Sequence, residues 1–225
     1  MNKKKINNAP LFGKFLTQKE EELFKKLRTP SQIQDFINKL SINFEESGET
    51  VQSPRMVMKT RTAHCLEGAL FAAAVLWYHG EKPLLLDLKS SANDYDHVVA
   101  LFHTKTGWGA ISKTNHTVLR YREPIYQNIR ELAMSYFHEY FNDKGEKTLR
   151  SFSRPFSLKR YGTSWITSTE NLWDIGGALD DAPHLPIISS WSHQRLRRAD
   201  PLEIKAGKLV QYTTKKKAKK GVKVV

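Results

Sequence analysis

The chain has 225 residues, 40% hydrophobic and 26% charged, which suits a globular protein with a sizeable buried core rather than a disordered one. Its formal charge is +13, but Lys3, Lys4, Lys5, Lys215, Lys216, Lys217, Lys219, Lys220 and Lys223 carry nine of those charges, so the body is only weakly basic. No apolar run reaches about 18 residues, a single cysteine excludes an internal disulfide or a multi-thiolate zinc site, and neither a zinc-finger spacing nor an RNA-binding signature is present.

Residues 1–16 read as a basic flexible start without the apolar stretch of a secretory signal. TQKEEELFKKLRT is expected to be a helix, capped by Thr17 and acidic in its first turn. Ser31 opens a second helix with Ile33, Phe36, Ile37 and Leu40 on one face. GETVQSPRMV reads as a loop broken by Gly48 and Pro54. From Cys65 a helix is expected to about His79, with Gly80 as its stop. Its side chains from Leu66 to Trp77 are almost all apolar, so it is expected to be buried nearly all round.

A strand over Leu84–Leu88 follows. DHVVALF and WGAISK, joined by HTKTG, then read as a hairpin over Asp96–Lys113. RELAMSYFHEYF reads as one helix carrying Tyr136, Phe137, Tyr140 and Phe141, and the helical spacing of YREPIYQNIRELAMSYFHEY indicates packing. SFSRPFSLKRYGTSW reads as loop, and TENLWDIGGALDDAPH holds a short helix ending near Gly176. Asp180, Asp181 and His184 are metal-ligating types without a matching ligand set, so LDDAPH reads as a surface loop. The order of elements argues for an α+β fold. It divides the chain into a flexible start (1–16), one domain (17–212, with a core over 54–141 and an accessory part over 142–212) and a Lys-rich tail (213–225).

Cys65 stands where a helix begins. Free N–H groups and the dipole favour thiolate there, and the same N–H groups can form half of an oxyanion hole. Such a thiol needs an imidazole from another element. His97 opens the strand HVVALF and shares a face with Val99 and Leu101, from which it could meet Cys65. His64 is adjacent to Cys65, but helical neighbours point about 100° apart, so it is expected to be a poor base. His79 and His103 lie at the far ends of their elements.

The pattern C-x-E-x-A-x-x-x-A-A, followed by LLLDL, DHVVALF and GWGAIS, resembles the core of transglutaminase-like proteins, a branch of the papain-like cysteine enzymes, over residues 54–113. The resemblance implies a central buried helix packed on a small antiparallel sheet, with extra helices N- and C-terminal to it. It implies Cys65 as nucleophile and His97 as general base. The family's acid is replaced by Ser112; pairing across a hairpin centred near Lys105 places His97 opposite Ser112 or Lys113, so that position can still reach the imidazole. Asn115 is a second candidate to orient the ring, since papain-like enzymes elsewhere use asparagine there. Asp94 could reach the site only if its loop turns back, and Asp96 should point to the opposite face.

The expected activity is that of a cytoplasmic thiol hydrolase or acyltransferase, a peptidase, amidase or amine acyltransferase acting on a protein or peptide, with no cofactor or metal called for. The alternative is an inactive binding module of the same fold, contacting nucleic acid or an acidic partner through its Lys-rich termini.

Overall fold

The computed structural model describes residues 8–213. The Lys-rich stretches at 3–5 and 215–223 lie outside the described residues. The helical N-terminal part comprises α1 (Ala9–Phe12), α2 (Gln18–Lys26) and α3 (Pro30–Asn38), followed by β1 (Ser41–Ile42), α4 (Pro54–Thr60) and β2 (Thr62–Ala63). Next come α5 (Cys65–Tyr78), β3 (Leu84–Ser90), β4 (His97–His103), β5 (Trp108–Ser112), β6 (Arg122–Tyr126) and α6 (Ile129–Met134). The last part contains β7 (Leu149–Ser153), β8 (Phe156–Ser157), α7 (Ser164–Thr167), α8 (Trp173–Asp180), β9 (His184–Pro186), α9 (Ser190–His193) and α10 (Pro201–Gly207). The fold is α+β.

Local chemistry explains several starts and stops. Thr17 and Glu20 form a capping box at α2. The second helix is capped by Thr29, not Ser31, because Pro30 supplies the fixed φ of a first helical position. Pro54 likewise starts α4 behind a Ser53 cap, where the sequence suggested only a broken loop. Within the start expected to be flexible over 1–16, residues 9–12 form α1, whose fully buried Phe12 packs edge-on against Trp77 and Tyr78.

The main sheet runs in the order β6-β5-β4-β3-β7-β9, with β8 also pairing β3, and all its pairs are antiparallel. The C-terminal part expected to be an accessory therefore completes this sheet. One face packs on α5 through Leu85, Val98, Ala100, Phe102 and Ile111. The other carries Leu86, Leu88, Val99, Leu101 and Ala110 under Leu132, Ala133, Tyr136 and Tyr140. Burial on both faces is why LLLDL and HVVALF read as unbroken apolar runs rather than alternating ones.

Every residue of α5 from Glu67 to Tyr78 is buried. Large side chains such as Leu70, Phe71 and Leu76 each contribute about 1.5–3 kcal/mol by leaving water. Gly80, at φ 89°, ends this run as expected.

Two elements differ from the sequence reading. RELAMSYFHEYF is not one helix: α6 stops at Met134, and a 3-10 turn covers Phe137–Glu139. Ser135 Oγ takes the Leu132 carbonyl, offering the backbone an alternative to the helical ladder. REPIY is an edge strand, and only an edge accommodates Pro124, which has no N–H to donate.

Candidate active site

Cys65 is the first residue of α5 and is half-buried. It lines a cleft of about 740 Å³ together with His64 and His97. Among the cleft's other walls are Phe44, Tyr95 and Phe141. Burial would raise the Cys65 thiol, but hydrogen bonds from His64 and His97, with the positive charge that either ring can carry, outweigh it and hold the group well below its ordinary value. Both rings thus favour the thiolate form of Cys65.

His97 is buried at the start of β4. Val99 and Leu101, which share its face, pack in the layer away from α5, so the ring does not approach the thiol from the helix side. His97 reaches Cys65 because it is the strand's first residue, at the rim of the sheet where α5 begins.

Its Nε2 lies 2.8 Å from Ser112 Oγ. The hairpin register pairs Ser112 with Val99, so Ser112 lies diagonally to His97 rather than opposite it as the sequence suggested. The centre of the hairpin falls between Lys105 and Thr106 rather than at Lys105, which shifts the register by one residue, and the diagonal neighbour stays within side-chain reach.

Ser112 Oγ donates its own hydrogen to the Leu119 carbonyl. It must therefore accept from His97, which fixes the ring as the Nε2–H tautomer and leaves Nδ1 for the sulfur. Leu119 sits in the left-handed region, at φ 58°. Its N–H donates to Glu139 Oε2 at 2.8 Å, and Glu139 is held by Arg122 at 2.7 Å. The chain of bonds from His97 thus ends near a carboxylate without touching one.

Asn115 does not orient His97. Its Nδ2 donates to the Tyr212 carbonyl and its Oδ1 accepts from Tyr212 N–H, both at 2.9 Å, which ties the C-terminal segment to the rim of the cleft. Asp94 accepts from Thr148 Oγ1, and Asp96 accepts from Ser90 N–H. In LDDAPH, His184 Nε2 lies 3.0 Å from the buried Asp87, and Asp180 is paired with Lys89. The carboxylates of Asp87, Asp96 and Asp180 approach within 4.8 Å of one another, with Lys89 as their counter-ion.

The residue the sequence reading discounted is His64. It caps α5 from extended backbone (φ −92°, ψ −172°), so the 100° offset of helical neighbours does not apply, and its ring lines the same cleft as Cys65. Burial would lower it, but the bond and charge of Cys65, the charge of Glu67 and the Thr50 carbonyl raise it to about 9.

Glu67 was also missed. It is fully buried and accepts from Asn43 Nδ2, Thr50 Oγ1, the Gln52 N–H and side chain, and the His64 N–H. An acid two positions into an otherwise apolar helix was the available signal, because a buried carboxylate requires such a set of donors.

Lys113 packs beside this helix. Gly68 leaves room for it, since a Cβ there would stand 2.5 Å from Lys113 Cβ. The Lys113 ammonium donates to the Ile37 and Leu40 carbonyls, and burial, aided by Arg120, lowers it to about 8.

No family model and no curated protein matches this chain.

Proposed function

We propose that this protein is a thiol enzyme of transglutaminase-like, papain-like type, cleaving or exchanging amide bonds in a protein or peptide. The observation that carries the reading is the convergence of two imidazoles on a lone cysteine at a helix N-terminus, inside an open cleft. Cys65 attacks the carbonyl carbon, and the negative oxygen that forms is met by N–H groups of the first turn of α5. Histidine carries the protons that the leaving amine needs and the incoming water or amine must lose. Ser112 supports this by holding the His97 tautomer.

A cleft of about 740 Å³ is in the range that accepts a side chain with part of its backbone. A reducing, cytoplasmic setting suits a chain whose one cysteine is this thiol. The neutral Ser112 in place of a carboxylate favours a second reading, a binding module that keeps the cleft without turnover.

Mass spectrometry of the intact protein, quenched after incubation with mixtures of glutamine-containing peptides, separates the two. An acyl adduct on Cys65 that a primary amine discharges supports the enzyme, with Cys65→Ala as control. Peptide retention without any adduct supports the module.

A further inference from the structure

Two imidazoles face one sulfur, and the outer nitrogen of each is already committed. His64 Nε2 lies 2.9 Å from the Thr50 carbonyl, which can only accept, so this nitrogen carries hydrogen. His97 Nε2 carries hydrogen as well, because the Ser112 hydroxyl spends its own on Leu119. Each ring therefore keeps Nδ1 as the nitrogen left for the thiol. The sulfur and the two Nδ1 atoms are three basic positions, and in the uncharged arrangement they hold a single proton between them. The surroundings decide where it rests.

Those surroundings differ sharply. Glu67 Oε1 stands 3.4 Å from His64 Nε2 and Glu45 Oε1 stands 3.7 Å from it, beside the Thr50 carbonyl. Glu67 is fully buried, so its field is little screened by water. Behind His97 Nε2 stand a hydroxyl and then a carbonyl, and among the described residues no ion pair is formed by this ring. The other titratable groups lining the cleft include Tyr140 beyond the 3-10 turn, Asp94 and Asp96 before β4, Lys113 after β5, and Glu139, with Tyr95, His116, Asp143, Lys144 and Lys208 among the rest. Asp94 and Asp96 are bonded to Thr148 and Ser90, Lys113 to two carbonyls, and Glu139 to Arg122.

We propose that His64 is the resting counter-ion of the Cys65 thiolate, while His97 waits beside it as the neutral base. The carboxylate missing behind His97 is thereby supplied, as Glu67, to the other histidine. This rests on the reading of Cys65 as a nucleophile and assigns the two rings to different steps. In acylation the sulfur forms its bond to the acyl carbon and the carbonyl π pair moves onto oxygen. As the C–N bond breaks, the departing amine takes the Nδ1 proton of His64. In deacylation His97 Nδ1 removes a proton from water or the acceptor amine as that molecule bonds the acyl carbon. The C–S electron pair returns to sulfur, and the proton passes from His97 to His64. His64 is a catalytic residue in this scheme, and Glu67 is a positioning residue acting through it.

The test uses the full chain labelled with ¹⁵N-histidine, the two rings being assigned by single His→Gln variants. At pH 7 His64 should show both nitrogens protonated and His97 a bare Nδ1. The reverse assignment overturns the proposal. Iodoacetamide alkylation of Cys65 gives a second readout. His64→Ala should slow it about tenfold or more at pH 7, one pKa unit being tenfold in thiolate, and added imidazole should restore the rate. His97→Ala should slow it less than His64→Ala does, because the hydrogen bond of a neutral ring favours the thiolate less than a cation beside it. A His64→Ala rate equal to the parent's, with slowing in His97→Ala, assigns the thiolate to His97 and overturns the proposal. Neither readout needs turnover. An acyl adduct on Cys65 with the reversed protonation states would sink this inference alone; the stated protonation states without any adduct would sink the enzyme reading alone.

Discussion

Ser112→Ala removes one oxygen from a site that is 1% exposed and breaks two hydrogen bonds, one accepted from His97 Nε2 and one donated to Leu119. A buried group left without its partner costs about 1–3 kcal/mol. Leu119 is half-buried, so water can replace its partner, and the main loss falls on the buried His97 N–H. That gives about 2 kcal/mol, or roughly 4–8 °C in melting temperature for a chain of this size. Ser112→Asp should do no better near neutral pH. An aspartate can accept from His97, but it points a negative oxygen at the Leu119 carbonyl, where serine supplies a hydrogen. Part of its loss should therefore return as the pH falls and the new carboxyl protonates. Thermal unfolding followed by circular dichroism, at pH 5 and pH 7.5, measures both effects. A Ser112→Ala melting temperature within 1 °C of the parent protein's would mean that Ser112 only fills space and that the tautomer argument fails.

Gly68→Ala should destabilise by about 1–3 kcal/mol, despite alanine's better helix propensity, because the new methyl meets Lys113 Cβ at 2.5 Å; equal or higher denaturant stability would contradict the packing. Asn115→Ala should leave Cys65 alkylation unchanged and make the segment after Lys208 more sensitive to limited proteolysis, since its two bonds to Tyr212 are lost. Asp87 is 3% exposed, and burial, opposed by His184, raises its carboxyl to about 6. The fold then holds a proton that the unfolded chain has released, so this group's contribution to stability falls as pH rises from about 4 through 6. Asp87→Asn should flatten that decline and add up to about 2 kcal/mol at pH 7.5; a decline unchanged in denaturant titrations of the variant would assign it to another group.

The parts of the site set by local pattern were legible in the sequence. The apolar run after Cys65 could only be a buried helix, and HTKTG between two β-rich runs could only be a hairpin, so Cys65 and His97 were recognised on the elements that carry them. What depended on backbone exceptions was hidden. His64 was discounted as a helical residue, but it is the cap, and a cap's extended backbone turns its side chain elsewhere. Glu67 looked like an interruption of an apolar run because its donors come from residues 43–52, a loop with no periodicity to read. The face of His97 was misjudged because a strand buried on both sides gives alternation no contrast. REPIY was absorbed into a helix because aromatic spacing there mimics the helical period, and its edge position is a tertiary fact.

The central claim is that Cys65 is a thiolate at neutral pH, and the rate of its alkylation by iodoacetamide from pH 5 to 10 tests it most directly, since the chain has no other cysteine. Two imidazoles and a helix N-terminus should put the midpoint well below the ordinary thiol value of about 8.5, leaving the rate already near its plateau at pH 7. A midpoint at about 8.5 or above, with the protein still folded, would make Cys65 an inert buried thiol and remove the basis for the proposed chemistry.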